Sequence, residues 1–269
     1  MALRLFLILF LSLFSTQAFA VNWTQNSTAV ATYTFEESSG DLLDLSNAND
    51  GTLVNTVTQG AAGQRANAYD FGGGYVDAGD IAQIDGASSL SGVVWVSHDT
   101  TSDDDYIFAK SSGITDGLLF FRDNVASLSG RTDTYTIFLA SSDGEGNRRV
   151  ESATNASTGG GFIHVAFTWE GLSTTGLRLY VNGVEDANSP STASNVGAID
   201  SGDRILSIGA SSGGTNNIDG KIDEAGIFES VLDATDINDI MDNGLVQAGA
   251  GVINLIINGT FVADQFYFN

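Results

Sequence analysis

Phe162-Ile163-His164-Val165-Ala166-Phe167-Thr168-Trp169 and, after a short polar loop, Leu177-Arg178-Leu179-Tyr180-Val181-Asn182-Gly183-Val184 decide the fold of this chain. Both runs alternate apolar and polar residues, which places every second side chain on one face of a sheet. The second run ends in Asn-Gly, a pair that accepts positive φ and marks a tight hairpin. Working outward from this pair, 32 glycines, a single proline and many β-branched and aromatic residues describe short strands joined by Gly/Asn/Asp/Ser turns. The pattern predicts strands over residues 30–35, 68–71, 75–78, 90–98, 106–109, 118–121, 135–140 and 148–152. Further strands are expected over 162–169, 177–181, 205–208 and 221–228. Strands at this spacing build a two-sheet antiparallel sandwich of the jelly-roll kind rather than βαβ units.

One helix is expected, capped by Asp233, with Asp236 three residues on and an apolar stripe of Ile237, Ile240 and Met241 that stops at Asn243-Gly244. The segment after it, residues 251–269, is a strongly apolar tail around a second Asn-Gly pair, Asn258-Gly259. It reads as an intramolecular hairpin or as a ribbon for pairing with another subunit.

The first 20 residues read as a signal peptide. Arg4 supplies the positive charge, Leu5 to Phe14 is almost wholly apolar, and Ala18-Phe19-Ala20 is an A-x-A cleavage site. The apolar stretch is too short to span a bilayer, and no later stop-transfer segment follows. The mature chain is therefore expected to start near Val21 and to be secreted, ending up extracellular or on a cell surface. Residues 21–250 are long enough for one large sandwich. With 10 basic against 33 acidic residues the formal charge is −23, which argues against nucleic acid and anionic lipid as partners. There is no cysteine, so the exported domain must be held by packing and, if by anything else, by metal.

Several ordered blocks resemble a laminin-G-like domain of the concanavalin A-like lectin/glucanase superfamily, over about Ala29 to Gly244. Ala31-Thr32-Tyr33-Thr34-Phe35-Glu36-Glu37 resembles the opening strand, and Asp44-Leu45-Ser46-Asn47-Ala48-Asn49-Asp50-Gly51 the loop after it. Tyr69-Asp70-Phe71-Gly72-Gly73-Gly74-Tyr75-Val76 is similar to the next hairpin. Ser91-Gly92-Val93-Val94-Trp95-Val96 is similar to a strand with a buried Trp, and Gly220-Lys221-Ile222-Asp223-Glu224 to the closing strand. One departure is Phe162, where the family usually has Trp. The resemblance implies a jelly-roll β-sandwich that acts as a recognition or adhesion module. It also implies a structural calcium joining the Asp44 loop to the late strand through Asp44, Asn47 and Asp223.

The residues themselves support that site in one respect. Alternation from Lys221 to Phe228 puts Asp223 on the apolar face with Ala225 and Ile227, where a carboxylate needs a partner, hydrogen bonds or a metal. Calcium takes six to eight hard oxygens and tolerates irregular loops. The competing reading is that Asp223 accepts backbone N–H bonds and the Asn residues simply make turns. Asp103-Asp104-Asp105 reads as a solvated loop, and Ser211 to Asn217 as either a connector or a polar loop offered to a ligand. His98 and His164 form no motif; His164 reads as a hydrogen-bonded strand residue. Trp95 and Trp169 read as core, and Trp23 as exposed or as a staple for the N-terminal end.

Catalysis by the glycosidases of this superfamily requires two carboxylates about 5 Å apart, on a Glu-x-Asp-x-x-Glu strand. Here the corresponding stretch is Lys221-Ile222-Asp223-Glu224-Ala225-Gly226, which lacks both outer carboxylates. The residues thus lack the known catalytic pair and give no catalytic residue, and the resemblance implies a non-enzymatic module binding an extracellular polysaccharide or glycoprotein. The rivals are a structural protein that self-assembles through its C-terminal strands, and a polysaccharide-cleaving enzyme with a different site.

Overall fold

The computed structural model describes residues 21–100, 104–111, 113, 116–123, 133–140, 147–153, 161–171, 173, 175–191, 197–246, 255–257 and 260–262. The expected signal peptide lies outside the described residues. Among the described residues no helix is long and apolar enough to cross a membrane.

A 3-10 turn (Trp23–Gln25) precedes β1 (Ala29–Tyr33), β2 (Thr52–Val54), β3 (Val57–Ala62), β4 (Asn67–Gly72), β5 (Tyr75–Asp77) and β6 (Ser89–His98). Then come β7 (Asp105–Lys110), β8 (Gly117–Asp123), β9 (Thr134–Ala140), β10 (Asn147–Glu151), β11 (Ile163–Glu170) and β12 (Arg178–Val181). β13 (Val184–Glu185), β14 (Ser207–Ile208) and β15 (Asp219–Phe228) lead into helix α1 (Ala234–Asn243). The tail contributes β16 (Leu255–Ile257) and β17 (Thr260–Val262), which pair with each other in a separate two-stranded ladder.

Two antiparallel sheets make the sandwich. The first runs β13-β12-β11-β6-β15-β4-β3, with β1 also on β15; the second runs β10-β9-β8-β7-β14-β5-β2. The two runs that open the sequence are β11 and β12, paired Val165 to Val181 and Phe167 to Leu179. Asn182 (φ 49°) and Gly183 (φ 75°) form the two-residue turn to β13, as Asn-Gly requires.

Alternation decides the core. Val94, Val96, Val165, Phe167, Leu179, Ile222 and Ile227 of the first sheet meet Ile107, Phe108, Leu118, Phe120, Ile137 and Leu139 of the second. Phe120 and Phe167 cross the interface edge to face, 5.3 Å apart. The Phe167 ring leans over its cross-strand neighbour Gly92, where an added Cβ would collide with it.

The outer face of the first sheet buries Val93, Ala166, Tyr180 and Phe228 under Ile237 and Ile240 of α1, with Trp23 and Leu245 closing the cluster. The helix starts as expected: Asp233 accepts the Thr235 and Asp236 N–H groups, while the Asp236 carboxylate takes the Asp233 N–H. Trp23 staples the N-terminal end, its indole N–H donating to Asp239 at 2.8 Å. Trp169 is in the core and Trp95 is buried.

β15 carries the irregularity that matters most. Along one edge it pairs with β6 throughout, but its other edge is shared, β4 taking Asp219 to Ile222 and β1 taking Ala225 to Phe228. At the split a bulge inserts one residue: Asp223 faces Trp95, yet Gly226 faces Val93. Glu224 absorbs it with φ 49°.

Candidate functional site

The bulge overturns the expected direction of Asp223. Ile222, Ala225 and Ile227 all reach the inter-sheet core, so Asp223 points to the outer face, in the row of Trp95 and His164. It is fully buried there. Its Oδ2 accepts the Arg65 N–H from the β3–β4 turn at 2.8 Å, and its Oδ1 has no hydrogen-bond partner among the described residues. Burial pushes this carboxyl up to about 7, and the charges of Glu224 and Glu36 push the same way against the Arg65 bond. Glu224 is raised too, chiefly by burial, although its carboxylate accepts the Leu245 N–H at 2.6 Å.

Asp44 and Asn47 sit elsewhere and are already employed. Asp44 Oδ1 accepts the Thr32 and Ser46 N–H groups and the Ser46 hydroxyl, while Oδ2 accepts the N–H and side-chain amide of Asn49. These five donors more than fill the roughly four lone-pair sites of a carboxylate. The Asn47 amide donates to the Ala29 and Val30 carbonyls, each at 2.9 Å. Among the described residues Asp44 and Asp223 share no hydrogen-bond partner. Among the described residues no group of three or more His, Cys, Asp or Glu side chains is arranged to hold a metal. Asp44 and Asn47 tie β1 to its following loop, and Asp223 orders the Arg65 turn.

His164 differs from its expected role as well. Its ring is fully buried, stands edge-on to Trp95 with centroids 5.1 Å apart, and has no hydrogen-bond partner at either nitrogen among the described residues. Burial lowers it to about 3, with Arg65 adding to the effect, so it is neutral.

Asp105, expected in a solvated loop, is buried between the sheets. Its Oδ2 meets His98 Nδ1 at 2.8 Å and Arg122 Nη1 at 3.1 Å, while His98 Nε2 meets the Tyr135 hydroxyl at 3.1 Å. Arg122, fully buried, also lies 3.4 Å from Asp133 and donates to the Thr100 carbonyl. Burial lowers the pKa of His98, with Asp105 opposing, so the ring is neutral beside an ionic pair. This network joins β6 of one sheet to β7, β8 and β9 of the other.

A concave feature with ligand-binding chemistry lies on the outer face of the second sheet. A groove of about 630 Å³ is floored by Tyr106 and Leu119, with Asp203, Arg204 and Ile205 on one wall and Ser211, Ser212, Gly213 and Asn216 on the other. Both walls flank β14. Strand alternation explains the floor, since Phe108 and Phe120 enter the core while Leu119 and Phe121 turn outward. Phe121 stacks on Tyr106 at 4.7 Å and 10°. The Tyr106 N–H donates to the Asn216 carbonyl at 3.4 Å, and burial raises the pKa of the Tyr106 phenol, with the Asp104 charge adding and Asn216 opposing. The Ser111 N–H donates to Ser212 Oγ at 3.1 Å, joining β7 to the loop, and Ser211 Oγ donates to the Thr215 carbonyl. The opposite wall hangs on buried Lys110. Its ammonium holds Asp80 at 2.8 Å, Asp85 at 2.9 Å and the Gly202 carbonyl at 3.1 Å, and Asp85 in turn accepts from Ser201.

The 211–217 loop was legible in the sequence as a polar loop; Tyr106, Arg204 and Lys110 were not singled out. The outward alternation of Tyr106 relative to Ile107 was the available signal. The pairing of Lys110 with Asp80 and Asp85 was hidden by sequence distance.

The fold has known counterparts. Domain 4 of AbnA, a GH43 extracellular arabinanase from Geobacillus stearothermophilus solved with arabinotriose, is similar at 19% identity and TM-score 0.55, covering 82% of this chain and 98% of that one. The binding domain of botulinum neurotoxin DC in complex with SialylT matches at 15% identity and TM-score 0.57, over 81% of this chain and 52% of that one. The same domain in complex with rat synaptotagmin II matches at 13% identity and TM-score 0.57, over 80% and 51%. The chain therefore spans about half the length of these neurotoxin domains and nearly all of the arabinanase domain. No curated protein sequence matches significantly. A laminin-G-type family model, described as the concanavalin A-like lectin/glucanases superfamily, matches residues 70–238. With more than half its length matched and the two-sheet sandwich in place, the chain belongs to the concanavalin A-like lectin/glucanase superfamily.

Proposed function

We propose that this protein is a secreted, non-catalytic recognition or adhesion module that binds an extracellular polysaccharide or glycoprotein through the Tyr106 groove. The observation that carries the reading is the groove itself. A floor of Tyr106 and Leu119 is bordered by hydroxyl and amide groups on one loop and by charged side chains on the other, as a polar ligand with apolar ring faces would need. The arabinotriose held by the arabinanase domain is a saccharide on the same fold, which supports the ligand class.

The test is a glycan screen of residues 21–269, run in calcium and again in EDTA, beside Tyr106→Ala. Binding that falls about tenfold or more in the variant supports the groove. Binding untouched by the substitution places recognition elsewhere, and loss in EDTA brings calcium into the mechanism. A second reading, assembly through the C-terminal strands, is favoured by one observation: β16 and β17 form a ladder of their own. Removing residues 252–269 and measuring mass in solution decides it, because a monomer before and after removal rules assembly out.

A further inference from the structure

We infer that the Tyr106 groove selects uncharged saccharides and turns away acidic ones, and that Asp116 sets this selection. The inference rests on the groove being the binding site and adds the chemical class of its ligand. Among its described lining residues the charged side chains are Arg204 and Asp203. Arg204 would be the natural partner of a sugar carboxylate or sulfate. Its Nε, however, lies 3.6 Å from the Asp116 carboxylate, and the Asp116 side chain is 17% exposed against 45% for Arg204. The acid is thus the sheltered member of the pair and holds the exposed cation against the wall.

The second cation near the groove is compensated more fully. Lys110 precedes the lining residue Ser111, but its buried ammonium already serves two carboxylates, Asp80 and Asp85. Against Arg204 and Lys110 stand Asp116, Asp203, Asp80 and Asp85, so the surroundings are net negative. The chain as a whole carries −23. Among the described residues an acidic sugar entering here meets no uncompensated cation, and the acidic chain repels it at longer range as well. An uncharged sugar loses nothing by this field. It can lay an apolar ring face on Tyr106, whose opposite face is occupied by Phe121, and exchange hydrogen bonds with Ser211, Ser212 and Asn216.

The test compares three soluble probes against residues 21–269 by affinity electrophoresis and calorimetry: arabinan as the neutral polymer, polygalacturonate as the acidic one and chitosan oligomers as the cationic one. Arabinan or another neutral glycan should bind at least tenfold more tightly than polygalacturonate at about 0.1 M salt. Asp116→Asn, which frees Arg204, should raise the ratio of acidic to neutral affinity about fivefold. Wild-type preference for polygalacturonate or chitosan overturns the inference while leaving the groove a binding site. An unchanged ratio in Asp116→Asn overturns the role of Asp116. Failure of every glycan, neutral ones included, overturns the recognition reading underneath. The wild-type comparison stands even if a variant folds poorly.

Discussion

Asp223 lies fully buried on the outer face of the first sheet, beside Trp95. The sequence announced a carboxylate among apolar neighbours, and it is indeed buried; the bulge at Glu224 turned it to the outer face. Its neighbourhood combines Glu36 and Glu224 with Arg65 and neutral His164, and burial holds its pKa near 7 against an ordinary 3.8. The fold therefore favours the protonated acid. That advantage is complete below about pH 4, shrinks as pH rises, and is gone above about 7, where the fold carries a buried charge. Asp223→Asn keeps the shape and removes the charge. Urea unfolding from pH 4 to 8 should show the variant gaining on the wild type by on the order of 4 kcal/mol at the alkaline end. Parallel curves for the two proteins would mean that Asp223 does not titrate in this window. The groove lesson is similar: Tyr106 is one aromatic among many until the strand pairing shows that it faces outward onto Phe121.

At the level of elements, the expected strands all formed, because each carried its own alternation or apolar run. The strands that sequence reading passed over are β2, β3 and β13. Val57-Thr58-Gln59-Gly60-Ala61-Ala62 is built of small and polar residues and lies on a sheet edge, where half-burial asks little of side chains. β13 is two residues long and exists because the Asn182-Gly183 turn returns the chain onto β12. The helix was readable end to end, since its cap, stripe and stop are local signals. The Asp236 N–H and then the Thr235 N–H hold the Asp233 carboxyl below its ordinary 3.8, so the cap works above that value and fails as pH falls through its lowered pKa. Asp233→Ala should lower the thermal midpoint by roughly 2–4 °C at pH 7, with the difference closing in strong acid. A midpoint that does not move would show that packing of Ile237 and Ile240 alone defines the helix start.

Across the whole molecule, two sheets are tied by an apolar interface and by one ionic network at the end of the sandwich. Arg122 holds Asp105, Asp133 and the Thr100 carbonyl while wholly buried, so its loss strands the buried Asp105 carboxylate without its cation. Arg122→Leu should cost about 3–5 kcal/mol in urea unfolding, and Arg122→Leu combined with Asp105→Asn should cost less than the sum of the two. Additive losses would show that the network is not a unit. The sequence by itself determined the all-β class, the order of the strands, the capped helix, the acidic surface and the missing glycosidase pair. Each of these depends on periods of two or four residues, on composition, or on a contiguous motif. Only the tertiary structure decided which way Asp223 points, that Asp44 is filled by donors from β1 and its own loop, that Asp105 meets both His98 and Arg122, and that Tyr106 floors a groove walled by residues about 100 positions away. Those facts follow from strand pairing and a single inserted residue, and pairing is set by the packing of distant segments, which no local period records.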